Sequence, residues 1–190
     1  MSEDGYLWSV ALRRAIRRNR QDAHNRYLQL ATVRRDGSPA VRSLVFRDFC
    51  DAAMQLRMVT DRRSSKADEI VANAAGEISW YFTRSREQFR LRGTLALTGA
   101  GDADQRARLA LWESLSDRAR EQFFWPHPGV ALGTGPSEAS PGNTGPPDDF
   151  LLLTLSVTAV DHLTLRGDPQ SRVLSTRDEQ GGWSSRRVNP

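Results

Sequence analysis

The spacing of apolar and polar positions changes several times along the 190-residue chain, and each change marks an element. Over residues 6–22, Trp8, Leu12, Ala15 and Ile16 recur at helical spacing while Arg13, Arg14, Arg17, Arg18 and Arg20 take the remaining faces, which predicts an amphipathic helix. Cations in its last turns suit the negative end of the helix dipole, so these arginines read first as a solvated face and second as a nucleic-acid contact. From Arg26 the period becomes two. Tyr27, Leu28, Leu30, Thr32 and Val33 predict a strand that breaks at Asp36-Gly37-Ser38-Pro39 and resumes over residues 40–47, with Asp-Gly as the hairpin signal. A strand over 54–60 runs into a hydroxyl-rich basic turn, where Ser64 or Ser65 is placed to N-cap a helix over 66–74. Two more strands, 77–82 and 88–98, flank the polar turn Thr83-Arg84-Ser85-Arg86.

The second half reads less regularly. Leu109, Leu111, Trp112, Leu115 and Phe123 form the apolar set of one or two helices within 102–124. Residues 133–149 are rich in Gly, Pro and Ser, which predicts a flexible loop. A long strand over 150–165, a shorter one over 172–176, a Gly181-Gly182 turn and a short tail over 183–190 close the chain. About seven strands with few helices, and no repeated strand–helix alternation, predict a mainly β (α+β) fold built as an antiparallel barrel with flanking helices.

Composition narrows the reading. A chain of this length fits one domain, taken as residues 1–190, because ~100–200 residues per domain is usual. The apolar share of 38% is enough for a real core. The net charge of +4 arises from arginines that alternate with acids, so small acidic molecules suit the chain as well as nucleic acid does. The single Cys50 excludes an intramolecular disulfide and a cysteine-rich metal site, and with no apolar signal block near Met1 it points to the cytoplasm. His24, His127 and His162 lack any ligand spacing, so no metal site is expected; His162 reads as a structural histidine, with a ligand contact as its alternative.

Lys66 is the sole lysine among 27 basic residues. A compact ammonium at the end of Thr60-Asp61-Arg62-Arg63-Ser64-Ser65-Lys66 can enter a narrow phosphate pocket beside hydroxyls and helix N–H groups, which makes this turn a phosphate-site candidate; an ordinary surface lysine is the competing reading. On the strand before it, Arg42 shares a face with Leu44 and Phe46, so it needs either a carboxylate or a bound anion as partner. On the strand over 88–98, Phe89, Leu91, Leu95 and Leu97 take one side and Gln88, Arg90 and Arg92 the other. Gln88 both donates and accepts, which suits the edge of a flavin-like ring, although taken in isolation it reads first as a surface glutamine. No Walker loop, dinucleotide fingerprint or Gly-x-Ser-x-Gly elbow is present.

Taken in order, Arg42-Ser43-Leu44-Val45-Phe46-Arg47, then Val59-Thr60 with Ser64-Ser65-Lys66 and Glu69-Ile70, then Gln88-Phe89-Arg90-Leu91-Arg92-Gly93, and finally Trp183-Ser184-Ser185-Arg186-Arg187-Val188-Asn189-Pro190 resemble the pyridoxamine 5′-phosphate oxidase-like FMN-binding split barrels over about residues 26–190. Trp125-Pro126-His127-Pro128-Gly129 and Gly181-Gly182-Trp183-Ser184 are similar to a branch of FMN-binding oxidase-related proteins of cyanobacteria and plants. The resemblance implies FMN as cofactor. Arg42, Ser43, Leu44, Val45 and Arg47 would lie along it, Val59, Thr60, Ser65 and Lys66 at its phosphate, and Gln88 and Arg90 at its ring edge. It also implies a homodimer with two FMN sites between subunits, and Arg172 and Arg187 as substrate contacts; no catalytic residue is assigned.

Two departures bear on substrate. Authentic oxidases of the family show Arg-x-Val-Leu-Leu-Lys where this chain ends in Arg47, and Arg-Leu-His-x-Arg where it reads Ser171-Arg172-Val173-Leu174-Ser175; their flavin-side tryptophan is replaced by Leu163 or Leu165. The expectation is therefore an FMN-dependent oxidoreductase acting on a small amine or related substrate. A true pyridoxamine/pyridoxine 5′-phosphate oxidase, a non-catalytic flavin or pyridoxal phosphate binder, and a sister barrel using a deazaflavin or haem are the alternatives.

Overall fold

The first helix shows how local pattern becomes architecture. In the computed structural model, which describes residues 7–50, 54–102, 105–131 and 145–190, α1 (Trp8–Arg18) buries Trp8, Leu12 and Ala15 at the predicted spacing and carries Arg17 and Arg18 in its last turn. Its buried face packs into the main core with Leu28, Leu30, Ile78, Trp80, Phe82 and Phe89, so α1 plugs one opening of a barrel.

The barrel is made by β1 (Tyr27–Val33), β2 (Pro39–Val45), β3 (Asp48–Cys50), β4 (Gln55–Asp61), β5 (Ala75–Phe82), β6 (Glu87–Thr98) and β7 (Phe150–Thr164), with β8 (Ser171–Arg177) and β9 (Trp183–Val188) attached. All pairings are antiparallel, and the order is β2-β1-β5-β6-β7-β4-β3. The strands β2 and β3 lie at opposite ends of this order yet are joined only by Phe46 and Arg47. The sheet must therefore curl until its ends meet, and the Arg47 amide donates across the seam to the Arg57 carbonyl at 3.0 Å.

The central strand β7 is where the barrel splits. On one edge it pairs with β6 throughout; on the other its first half pairs with β4 (Phe150 to Ser156) and its second half with β8 (Ala159 to Thr164). The changeover coincides with a register shift at Arg92/Gly93, where a Cβ on Gly93 would sit 2.0 Å from the Ser156 carbonyl oxygen. Glycine is required there by close backbone approach.

A second, smaller core lies outside the barrel, where Leu111, Trp112 and Leu115 pack on Phe150 and Leu152. They come from α3 (Gln105–Ser114) and the link to α4 (Asp117–Glu121). This explains the continuous apolar run at the start of β7: Phe150 and Leu152 face the helices while Leu153 and Leu155 face the barrel, so both faces are buried. Arg108, 1% exposed, anchors α3 by donating to the carbonyls of Phe150 and Pro147.

Several boundaries differ from the sequence-based expectation. The first helix is shorter at both ends, and the 102–124 segment forms two α-helices followed by a 3-10 turn over Gln122–Phe124. Leu109 is 38% exposed rather than part of the apolar set. The terminal segment is not a tail: β9 pairs with β8 along its whole length, and Trp183 packs on Trp8 at 5.2 Å between ring centroids. Of the predicted loop at 133–149, residues 133–144 lie outside the described residues, whereas Pro147 to Asp149 dock on Arg108, Arg62 and Arg63. Among the described residues no helix is long and apolar enough to cross a membrane.

Candidate functional site

The seam between the barrel's two ends opens into a cleft of about 780 Å³. One wall is the stretch Ser43-Leu44-Val45 with Arg47. Among the described residues β2 pairs with one strand, β1, which leaves its other edge open at this wall. The floor is Val59-Thr60-Asp61 at the end of β4, followed by Lys66 in the first turn of α2 (Ser65–Ala72). The opposite wall is apolar and comes from Leu115, Ala119, Phe123, Trp125, Pro126 and Pro128; Arg26 and Tyr27 stand at the mouth.

Charge in the cleft is unbalanced. Arg26, Arg47 and Lys66 line it, and the one acidic lining residue, Asp61, is held by Arg63 at 2.7 and 3.0 Å. Burial, and after it the nearby charge of Arg42, pushes the Lys66 ammonium below its ordinary value, and among the described residues that ammonium forms no hydrogen bond or ion pair. Burial likewise lowers Arg47, whose Nε is enclosed without a hydrogen-bond partner. A desolvated cation with no partner costs free energy that a bound anion recovers. Thr60, 4% exposed, and Ser64 bring hydroxyls to within 3.4 Å of each other beside this position. Ser64 stands at the N-cap of α2, but its hydroxyl donates back to the Asp61 carbonyl at 2.6 Å, tightening the turn instead of capping the helix.

The cleft therefore gathers Ser43, Leu44, Val45, Arg47, Val59, Thr60 and Lys66, with Ser65 adjacent as the first residue of α2. It does not gather the others. Arg42 meets a carboxylate: its Nη2 donates to Glu69 at 2.7 Å and its Nη1 to Thr32. Burial alone would raise the Glu69 carboxyl, but the Thr32 and Arg42 hydrogen bonds and the Arg42 charge outweigh it and hold it low. Gln88 lies between Tyr81 and Leu163 on the sheet, and Arg90 pairs with Glu77 at 2.8 Å and Asp161 at 3.6 Å. Arg172 is committed to Asp161 by two bonds of 2.9 and 2.7 Å, and Arg187 is exposed on β9. None of these five lines the cleft of its own chain. His162 is the structural histidine expected: 5% exposed, stacked on Phe89 at 4.0 Å and 3.3 Å from Glu87.

Sequence reasoning missed the wall contributed by residues 115–128 and the residue that holds it. Arg63 binds Asp61 and Asp149 and donates to the carbonyls of Phe123 and Trp125 at 3.2 and 3.0 Å, which ties the phosphate-candidate turn to the aromatic wall. Trp125 is 50% exposed there. The Trp-Pro-x-Pro spacing was the available signal, because prolines stiffen a segment that displays an aromatic side chain.

These features fit FMN: a monoanionic or dianionic phosphate at Lys66 and the hydroxyls, a flat ring between the β2 edge and the apolar wall, and a guanidinium with an unused donor. Comparison with known proteins agrees. Residues 6–99 match the family profile described as pyridoxamine 5′-phosphate oxidase, FMN-binding domain. Pyridoxine/pyridoxamine 5′-phosphate oxidase 2 of Arabidopsis thaliana is 31% identical over 191 residues, 96% of each chain. The crystal structure of a pyridoxamine 5′-phosphate oxidase-related, FMN-binding protein of Nostoc punctiforme is 46% identical, with a TM-score of 0.91 over 98% of this chain and 100% of that one. PhzG of Burkholderia lata, at 16% identity, shares the fold with a TM-score of 0.82 over 99% of this chain and 95% of that one. With its antiparallel split barrel and its cationic seam cleft, the chain belongs to the pyridoxamine 5′-phosphate oxidase-like family of FMN-binding proteins.

Proposed function

We propose that the protein is an FMN-dependent oxidoreductase of the pyridoxamine phosphate oxidase-like type, acting in the cytoplasm as a homodimer, folded as one domain over residues 1–190, on a small amine or related substrate. The observation that carries this reading is that one cleft is lined by both Lys66, which burial shifts and which has no hydrogen bond or ion pair among the described residues, and Arg47, whose Nε is enclosed without a hydrogen-bond partner. Lys66, Thr60 and Ser65 hold the FMN phosphate, Ser43, Leu44 and Val45 offer their strand edge to the ring, and Arg47 supplies positive charge beside it. Leu115, Phe123 and Trp125 exclude water from the ring's apolar face. FMN, when bound, accepts the reducing equivalents of the substrate. The positions outside the cleft enter this reading through the dimer: Gln88 and Arg90 reach the flavin, and Arg172 and Arg187 the substrate, from the second copy. Arg42 acts in this reading through Glu69, holding α2 and hence Lys66 in place.

A true pyridoxamine/pyridoxine 5′-phosphate oxidase is the second reading, favoured by the Arabidopsis relative's activity. Against it stands the stretch Ser171-Arg172-Val173-Leu174-Ser175, where authentic oxidases carry Arg-Leu-His-x-Arg and this chain has Arg172 alone, bound at Nε and Nη2 by Asp161. The test has two stages. The purified protein is expected to show a flavin absorption spectrum or to quench added FMN fluorescence; no quenching at ~100 μM, a bound of about −5.5 kcal/mol, would rule out FMN as cofactor. Peroxide production by the FMN-saturated protein is then measured with pyridoxamine and pyridoxine 5′-phosphates. Turnover is expected to be absent or more than a hundredfold below an authentic oxidase, since ~3 kcal/mol of lost transition-state binding has that effect. Full turnover would establish the second reading.

A further inference from the structure

A second concave surface lies where the end of α1 meets the β5–β6 turn and the loop after β7. It encloses about 650 Å³ and is lined by Arg17, Arg18, Arg20, Arg84 and Arg166 with Gln21 and Ser85, sharing no residue with the Lys66 cleft. Five arginines line it, and among the described residues no carboxylate does. The helix dipole accounts for Arg17 and Arg18, in the last turn of α1. It does not account for Arg84 and Arg166, which two other elements bring to the same hollow against mutual repulsion.

The convergence is built, and the buried Asn19 builds it. Asn19 is 1% exposed; its amide nitrogen donates to the Ala15 carbonyl at 2.7 Å and the Ser85 hydroxyl at 3.0 Å, and its side-chain oxygen accepts from the backbone N–H groups of Arg84 and Ser85. The β5–β6 turn is thereby locked to the end of α1. Arg166 Nη2 then donates to the Arg84 carbonyl at 2.9 Å, and Arg84 Nη1 to Gln21 at 3.1 Å. These bonds orient two guanidinium groups and leave most of their five donors each unused.

We propose that this hollow binds condensed phosphates: the di- or triphosphate chain of a free oligophosphate or of a nucleotide. A chain of three to four negative charges matches several arginines better than one phosphate does, and the guanidinium fork pairs with phosphate oxygens two at a time. Convergence on a concavity of this size suits a small ligand, whereas a duplex would need its cations along an open stripe. The site is independent of the FMN reading.

Calorimetric titration of the full chain with tripolyphosphate, ATP and orthophosphate at fixed salt tests this. The wild-type protein is expected to bind tripolyphosphate with a Kd below about 100 μM and orthophosphate at least about tenfold more weakly. The Arg84→Gln/Arg166→Gln double variant, whose near-ultraviolet circular dichroism checks folding, is expected to lose at least about tenfold, and Arg106→Gln, which removes an exposed arginine of α3 outside the hollow, to lose nothing. ATP binding tighter than tripolyphosphate marks a nucleotide as the source; equal or weaker binding marks a free oligophosphate. Absence of heat up to about 1 mM tripolyphosphate, unchanged affinity in the folded double variant, or an equal loss in Arg106→Gln would each overturn the proposal. So would displacement of bound tripolyphosphate by duplex DNA, which would make the hollow part of a nucleic-acid face.

Discussion

At Lys66, binding and stability pull in opposite directions. Burial, then the charge of Arg42, lowers its pKa below the ordinary 10.5. The sign follows from proton linkage: between the lowered folded value and 10.5 the unfolded chain binds more protons, so stability rises with pH in that window, and below it the folded state bears the whole cost of keeping a half-buried ammonium charged. Lys66→Met is therefore expected to raise the Tm of the flavin-free protein at pH 7 by calorimetry. The same change should weaken FMN by ~2 kcal/mol, about thirtyfold, in a fluorescence titration. Arg13→Ala, which removes an exposed guanidinium 5.3 Å from the Phe49 ring, should leave FMN affinity nearly unchanged. Equal affinities in the two variants would mean that Lys66 is an ordinary surface lysine. The candidate role of Lys66 was legible because its neighbours from Thr60 to Ser65 are supplied by the adjacent chain. The partner of Arg42 was not, since Glu69 reaches it only after α2 folds back against β1.

Among the elements, the pairing of β6 with β7 has the least room for change. At Gly93 an added Cβ would meet the Ser156 carbonyl oxygen at 2.0 Å and its carbon at 2.8 Å, both backbone atoms of the neighbouring strand. At Gly76 the close atoms belong to the Leu95 side chain, which can change rotamer. Gly93→Ala is expected to cost ~3 kcal/mol or more in urea unfolding, and Gly76→Ala clearly less. Equal losses would show that the bulge region adjusts as easily as a side chain does. Period-two alternation located β6 and β7 to within a residue or two, and correctly separated Phe89 and Leu91 from Gln88 and Arg90. It did not reveal that Glu87 belongs to the buried face, where it meets His162. Burial alone would raise that carboxyl, yet hydrogen bonds from His162 and Ser85 hold it low, an arrangement set by a residue 75 positions away.

For the whole molecule, the proposed dimer can be tested by mass and by mixing variants. Ser43 to Arg47, Thr60 and Lys66 share one cleft, while Gln88, Arg90, Arg172 and Arg187 lie outside it. The FMN-saturated protein is expected to scatter light as twice the 21.3 kDa chain mass at micromolar concentration. The chain mass itself would confine the site to one subunit and remove Gln88 and Arg90 from it. Mixing Lys66→Ala with Gln88→Ala chains should restore about a quarter of the native FMN sites if each site draws on both copies, because random pairing leaves half the dimers with one intact site.

What the sequence determined by itself was local: the amphipathic helix at Trp8, the hairpin at Asp36-Gly37, the strand faces, and the phosphate-candidate turn from Thr60 to Lys66, each set by residues within one or two turns of chain. Tertiary structure alone decided which edges pair. It placed the short β3 across the seam from β2, added β9 as a paired strand, and brought Leu115 to Pro128 over a turn some fifty residues earlier. Alternation states which face a side chain occupies but not which strand lies beside it. Pairing is chosen by the closure of the whole sheet, so a cleft formed at the meeting of its two ends exists only once the barrel has closed.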